Sequence, residues 1–465
     1  MFQKKIEEME QEIIQSTQEL LKIKSVKDKP LKGKPFGEGI DNALQYALSL
    51  GEKFGFDVKN VDGYAGHAEF GSGEEIIGVL VHLDIVPEGS GWTYPPFGAE
   101  IHDGKIFARG AIDDKGPAVA ILYAMKAIKD LKIRLNKRIR VIFGTDEESN
   151  WGCMDYYFKK EKAPACAFSP DADFPVIYGE KGIAVYELIK DFKEATEDGG
   201  LRVIKIKGGS RPNMVPDYCE AYLKTTVKEL EKVRIELEKA LSTTGLSMDI
   251  EEIDNIFIIK SYGVSAHAST PEQGKNAISQ LMIFLNKLKL KSTDVSDFIQ
   301  LYVEKIGDEV HGKSLGCGFE DGPSGKLTLN VGIIDLDEKM GKVTLDIRYP
   351  ITYLLEDIHP TLHQSLIECG IAAQAVDHIK PIYLPKDHEL IQKLIKVYRD
   401  ITGDMREPLT IGGGTYARAI DNAVAFGPAF PGQPEVAHQK DEYIAIDHLM
   451  QITNIYAQAL YELAK

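Results

Sequence analysis

Apolar residues Ile6, Met9, Ile13, Leu20 and Leu21 recur at the spacing of one helix face, so the chain is expected to open with an amphipathic helix. "IDNALQYALSLGEKFG" predicts a second helix. "EIIGVLVHLDIV" is a continuous apolar run of strand length, the pattern of a strand buried on both faces. Beyond a Gly/Pro-rich loop, "GPAVAILYAMKAIKDL" reads as a helix with Pro117 near its first turn. "KRIRVIFGT" is the next strand, "WGCMDYYFKK" a short helix and "ACAFSPD" another strand. This alternation predicts an α/β domain with a mixed, mostly parallel sheet sandwiched by helices.

The pattern changes after about residue 180. "IAVYELIKDF", "GKLTLNVGIIDL" and "GKVTLDIRYP" alternate as half-exposed antiparallel strands do, with helices such as "KNAISQLMIFLNKLKL" between them. From about Asp387, "DHELIQKLIKVYRDITG" and "DHLMQITNIYAQALYELAK" return to helices suited to covering the first sheet. The expected division is therefore 1–180 and 381–465 for one domain, interrupted by an inserted α+β domain over 181–380.

Composition narrows the function classes. A net charge of −16 argues against nucleic acid or an anionic membrane as partner. No apolar run approaches the ~18 residues of a membrane span, and "MFQKKIEEMEQEII" has no apolar core of a signal peptide. Five scattered cysteines without CxxC spacing suit a reducing compartment, so a cytoplasmic location is expected.

Acids and histidines collect at the predicted strand ends. "VHLDIV" carries His82 and Asp84, "RGAIDDKG" Asp113 and Asp114, "GTDEES" Glu147 and Glu148, "FSPDAD" Asp171, and "EVAHQKDE" His438. Ligands bind at the carboxyl ends of strands in an open α/β sheet, so these positions should converge. Each alone has a plainer reading: Asp113 or Asp114 as a helix cap, His82 as a core histidine. Together they imply a cation, because clustered carboxylates disfavour one another's ionisation. Imidazole and carboxylate donors suit zinc, manganese or cobalt, and a shared carboxylate would support two ions. Adjacent residues at a strand end point to opposite sides, so one of Glu147 and Glu148 can hold metal while the other faces substrate.

In order and spacing these motifs resemble the co-catalytic metallopeptidases that include aminoacylase, carnosinase and the glutamate carboxypeptidases. "GWTYPPFGAEI" and "DDKGPAVAILYAMK" are most similar to the bacterial PepV-type dipeptidases. The resemblance spans essentially the whole chain. It implies that His82, Asp113 and Asp171 hold one metal, that Asp113 bridges to the second, and that Glu148 and His438 complete that second site. It implies further that Asp84 hydrogen-bonds the His82 imidazole, that Glu147 is the general base acting on a metal-bridged water, and that Asp114 is structural or capping. The inserted domain would be a lid, in which His267 of "GVSAHASTPEQGKNAI" donates to the oxyanion. Asn213 and Arg348 would bind the substrate carboxylate, Arg by its two-pronged fork. The glycine-rich turn "IGGGTYARAI", leading into a helix, would place Gly414 and Thr415 beside substrate.

The resulting expectation is a monomeric two-metal dipeptidase acting on small unmodified peptides, with zinc first and manganese or cobalt as alternatives. An N-acyl-amino-acid amidohydrolase (deacylase or desuccinylase) would use the same metals and base. A silent metal- or peptide-binding protein is the rival from another class, and the presence of Glu147 argues against it.

Overall fold

The structure is a computed structural model that describes residues 1–193, 199–244, 247–253 and 256–465. The chain divides into two compact units: Met1–Tyr178, Leu384–Leu409 and Gly414–Lys465 form the first, Gly179–Tyr383 and Thr410–Gly413 the second. Among the described residues, no helix is long and apolar enough to cross a membrane.

The first unit is built on the strand Ile76–His82, all seven residues of which are buried. It runs parallel to Arg138–Gly144 on one side and to Cys166–Ser169 on the other. Ala423–Ala425 continues the parallel set beyond Cys166–Ser169, whereas Ala65–Gly71 pairs antiparallel with Arg138–Gly144. Burial on both faces explains why the Ile76–His82 run lacks alternation. The helices Lys115–Asp130 and Ile446–Ala464 are themselves largely buried, with small residues such as Ala118, Ala120, Ala124, Ala457 and Ala459 fully covered. This is the α/β architecture read from the sequence.

The N-terminal helix differs from expectation. It is two helices, Phe2–Glu7 and Glu10–Leu21, joined by a tight turn in which the Met9 amide donates to the Ile6 carbonyl at 2.9 Å. Ile6, Met9, Ile13, Leu20 and Leu21 are all buried, so the apolar positions stay in phase across the break and periodicity alone cannot reveal it.

The second unit carries an eight-stranded antiparallel sheet. In spatial order its strands are Ser247–Ile253, Ile256–Tyr262, Tyr218–Lys224, Arg202–Gly208, Thr328–Asp337, Met340–Tyr349, Gly182–Asp191 and Ala372–Ile379. The helices Ala277–Lys287, Asp294–Lys305 and Leu355–Ile367 contribute Ile278, Leu281, Phe298 and Leu362 to its core. Here too one expectation is corrected. Val343 to Tyr349 is buried at every position rather than half-exposed, because its polar residues are covered as well; Asp346 and Arg348 pair with each other on the same face.

Candidate metal centre

Parallel pairing of Ile76–His82 with Arg138–Gly144 and Cys166–Ser169 puts the ends of three strands on one edge, and the chain places acids immediately beyond each. His82, Asp113 and Asp171 form one potential cation pocket, and Asp113, Glu148 and His438 a second. Asp113 belongs to both through separate oxygens: Oδ1 lies 2.8 Å from His82 Nε2, and Oδ2 lies 2.9 Å from His438 Nε2. Glu148 Oε1 is 2.9 Å from the same His438 nitrogen, and Asp171 Oδ1 is 3.8 Å from His82 Nε2.

The His82 ring is fixed from behind. Its Nδ1 lies 2.9 Å from the Asp84 backbone carbonyl, which can only accept, so the proton sits on Nδ1 and Nε2 faces the acids. The tie expected of the Asp84 side chain is thus made by its backbone; the carboxylate is 3.7 Å away. That carboxylate accepts instead from the amides of Glu147 at 3.1 Å and Glu148 at 3.0 Å, shaping the turn on which both glutamates ride. The turn follows the strand rather than extending it, so strand alternation does not set where the two glutamates point. Glu147 lies outside both pockets.

Asp114 is wholly buried and begins the helix Lys115–Asp130, yet its side chain makes no capping bond. Its Oδ2 accepts from the His82 amide at 3.1 Å, so its part is structural. Asp146, the first acid of the triplet, pairs with Lys27 at 2.6 Å and accepts from the Gly152 amide.

The electrostatics call for a cation. Burial, then the charge of Asp113, pushes Asp171 up to about 7; burial, then the charge of Glu148, pushes Asp84 in the same direction, to about 6. Burial, with Asp171, also holds Glu147 well above the usual carboxylate range. Burial would lower His438, but Asp113 and Glu148 outweigh it and hold it up at about 11. Protonated imidazoles occupy the place of positive charge, and a divalent ion between the same oxygen and nitrogen atoms would supply that charge without the protons. The donor set fits such an ion: two pockets of imidazole and carboxylate, one shared carboxylate, no thiolate.

Tyr416 escaped the sequence reading. Its buried ring lies edge-on to His82, with centroids 6.3 Å apart, and its hydroxyl accepts from the Asp146 amide and meets Cys153 Sγ at 2.9 Å. Gly144 is needed beneath it, since a Cβ there would come within 2.2 Å of Tyr416 Cε2. Gly414 and Thr415 just precede this tyrosine. The turn leads into the four-residue 3-10 helix Tyr416–Ala419, capped by Thr415 Oγ1 accepting from the Ala417 amide, rather than into an α-helix.

In the second unit, the Asn213 and His267 segments are bonded together, the Ala268 amide donating to the Asn213 carbonyl at 3.0 Å. The Ser269 amide donates to His267 Nδ1, which leaves the proton on Nε2. Arg348 is buried; its Nε and Nη2 grip Asp346 at 2.6 and 2.8 Å, and Nη1 reaches the Gly412 carbonyl. The Nε–Nη2 edge of the fork expected to meet a substrate carboxylate is thus taken by Asp346, and Nη1 is engaged by the Gly412 carbonyl.

A buried α/β sheet edge bearing imidazole–carboxylate pockets is the setting in which a divalent ion can activate water for hydrolysis. Residues 78–462 match the model of peptidase family M20/M25/M40. A relative from Bacillus subtilis (strain 168), "Putative dipeptidase YtjP", is 44% identical over 459 residues, covering 98% of each chain. The structure superposes on human carnosine dipeptidase 1 with a TM-score of 0.59 at 15% identity, covering 99% of this chain and 98% of that one. It matches an M20 family metallo-carboxypeptidase from Sulfolobus solfataricus with a TM-score of 0.55 at 20% identity, covering 97% and 99%. The chain belongs to peptidase family M20/M25/M40 and is a peptide-bond hydrolase.

Proposed function

We propose that this chain is a two-metal dipeptidase. The observation that carries the reading is Asp113 shared, one oxygen each, between two cation pockets, with Glu147 alongside and committed to neither. Relatives named as dipeptidases along their whole length support the substrate class. His82, Asp113 and Asp171 would hold one ion and Asp113, Glu148 and His438 the other, zinc ahead of manganese or cobalt. Bound there, the pair would polarise the scissile carbonyl and make water acidic enough to attack near neutral pH.

The chain's own residues do the rest. Glu147 would take a proton from the attacking water and deliver it to the leaving amine, a task suited to a carboxyl whose affinity for protons is raised by burial. Asp84 holds the Glu147 amide and so aims that carboxylate. His267, with its proton on Nε2, is proposed as the donor to the oxyanion, and Asn213 and Arg348 as the grip on the substrate's carboxylate. Gly414 and Thr415 are proposed to lie beside substrate. The enzyme is proposed to be a cytoplasmic monomer.

The test is hydrolysis of dipeptides, tripeptides and N-acetyl and N-succinyl amino acids by chelator-stripped protein restored with zinc, manganese or cobalt. Metal-dependent cleavage of dipeptides is expected, with kcat falling about 10²–10⁴-fold in Glu147→Ala while metal uptake persists. Cleavage confined to the acylated compounds would make the protein an amidohydrolase instead.

A further inference from the structure

How His438 is held is not explained by its role as a ligand. Its side chain is 51% exposed, and it lies in a loop where both His438 and Asp441 have left-handed backbone, φ +61° and +57°. Behind that loop sit two charged side chains removed from solvent, Arg109 at 2% exposure and Glu442 at 0%.

Their contacts run in two directions. Glu442 Oε1 accepts from the amides of Ile112 at 3.0 Å and Asp113 at 3.3 Å. Its Oε2 accepts from the Gly110 amide at 3.0 Å and from Arg109 Nη1 at 2.7 Å. Arg109 then donates from Nη1 to the Gln439 carbonyl and from Nη2 to the His438 carbonyl, both at 3.2 Å. The guanidinium also lies over Trp92, 5.2 Å from the ring centroid. Asp441 fastens the other flank of the loop, accepting from the Thr93 amide at 2.7 Å and its hydroxyl at 2.9 Å. The backbone of Asp113 and the backbone of His438 are therefore joined through one buried ion pair. Such a pair adds little net stability, since desolvation offsets its attraction, so its use here is to fix geometry.

We propose that Glu442 and Arg109 are positioning residues that hold His438 against Asp113 and thereby set the affinity of the Asp113–Glu148–His438 pocket separately from that of its neighbour. The inference rests on the metal reading of these ligands. Selectivity follows from the contacts: His438 is the ligand whose carbonyl Arg109 holds, whereas His82 ends a buried sheet strand and Asp171 lies two residues beyond another.

The experiment is zinc titration of the stripped full-length chain against a competing chelator, for wild type, Glu442→Gln, Arg109→Lys and Asp441→Ala. In Glu442→Gln an amide NH₂ must face N–H donors. Arg109→Lys keeps the charge but not the fork. Asp441→Ala removes only a surface anchor, so it serves if the buried variants do not fold. Wild type is expected to bind two equivalents. Arg109→Lys and Asp441→Ala should keep one equivalent at wild-type affinity and bind the other about 10–100-fold more weakly, while Glu442→Gln, which also disturbs the amide of the shared Asp113, should weaken the two unequally. Two unchanged equivalents would overturn the proposal, as would equal weakening of both, which is what general loosening would produce. A wild-type chain that binds fewer than two ions would overturn the metal centre itself, and the clamp with it.

Discussion

Asp84 directs its carboxylate at the two amides that set the direction of Glu147 and Glu148, while its carbonyl sets the tautomer of His82. The His-x-Asp spacing was legible in the sequence; which atoms of the aspartate do which task was not, because the spacing is the same for side chain and main chain. Asp84→Asn should therefore leave the His82 tautomer intact and turn an NH₂ toward one of the two amides. We expect kcat to fall about 10–100-fold with KM within about threefold, measured by steady-state hydrolysis of a dipeptide; an unchanged kcat would show that the turn does not depend on this carboxylate. Arg348 teaches the converse. Asp346 lies two residues before it, on the same face of a strand, so the period-two pattern of "LDIRYP" already contained the partner. Cys153 is wholly buried, and burial pushes its thiol up to about 12, so it is a core residue and not an oxidation-sensitive thiolate.

At the scale of elements, the strands and helices around the site were legible because burial on both faces leaves uninterrupted apolar runs. What lay outside such reasoning were polar ties between elements far apart in sequence. One is the cluster on the strands Ala65–Gly71 and Arg138–Gly144, where His67 Nδ1 meets the Tyr157 hydroxyl at 2.8 Å and Arg140 Nε donates to Glu69 at 2.7 Å. Burial first, then the charge of Arg140, pushes His67 down to about 4. An unfolded histidine titrates near ~6.5, so between about 4 and 6.5 the unfolded chain binds the extra proton and stability rises with pH. The full span corresponds to at most ~3 kcal/mol, and less because the ring is not fully enclosed. Urea unfolding of metal-loaded protein at pH 5 and pH 7.5 spans only the upper part of that range, so it should show a difference of at most ~2 kcal/mol in wild type and a smaller one in His67→Gln. An equal pH difference in both proteins would place the proton uptake elsewhere.

For the whole molecule, the second domain was expected where apolar runs give way to alternation near residue 180, and the second compact unit runs over Gly179–Tyr383 and Thr410–Gly413. The return Thr410–Gly413 carried no such mark, being too short to show a period. The arrangement has a consequence for metal removal. His82, Asp113, Glu148, Asp171 and His438 all belong to the first unit, drawn from segments more than 350 residues apart in the chain. Ions that bind only the folded form of that unit stabilise it by mass action, by about 4 kcal/mol at a free concentration a thousand times Kd. Hydrogen exchange should therefore slow on zinc addition around His82, Asp113, Glu148, Asp171 and His438. The sheet of the second unit, from Arg202–Gly208 to Met340–Tyr349, should exchange at the same rate with or without zinc, because it supplies none of these ligands. Equal protection of both units would mean that metal and second-unit stability are linked by groups outside the five, and the ligand set assigned to the first unit alone would have to be enlarged.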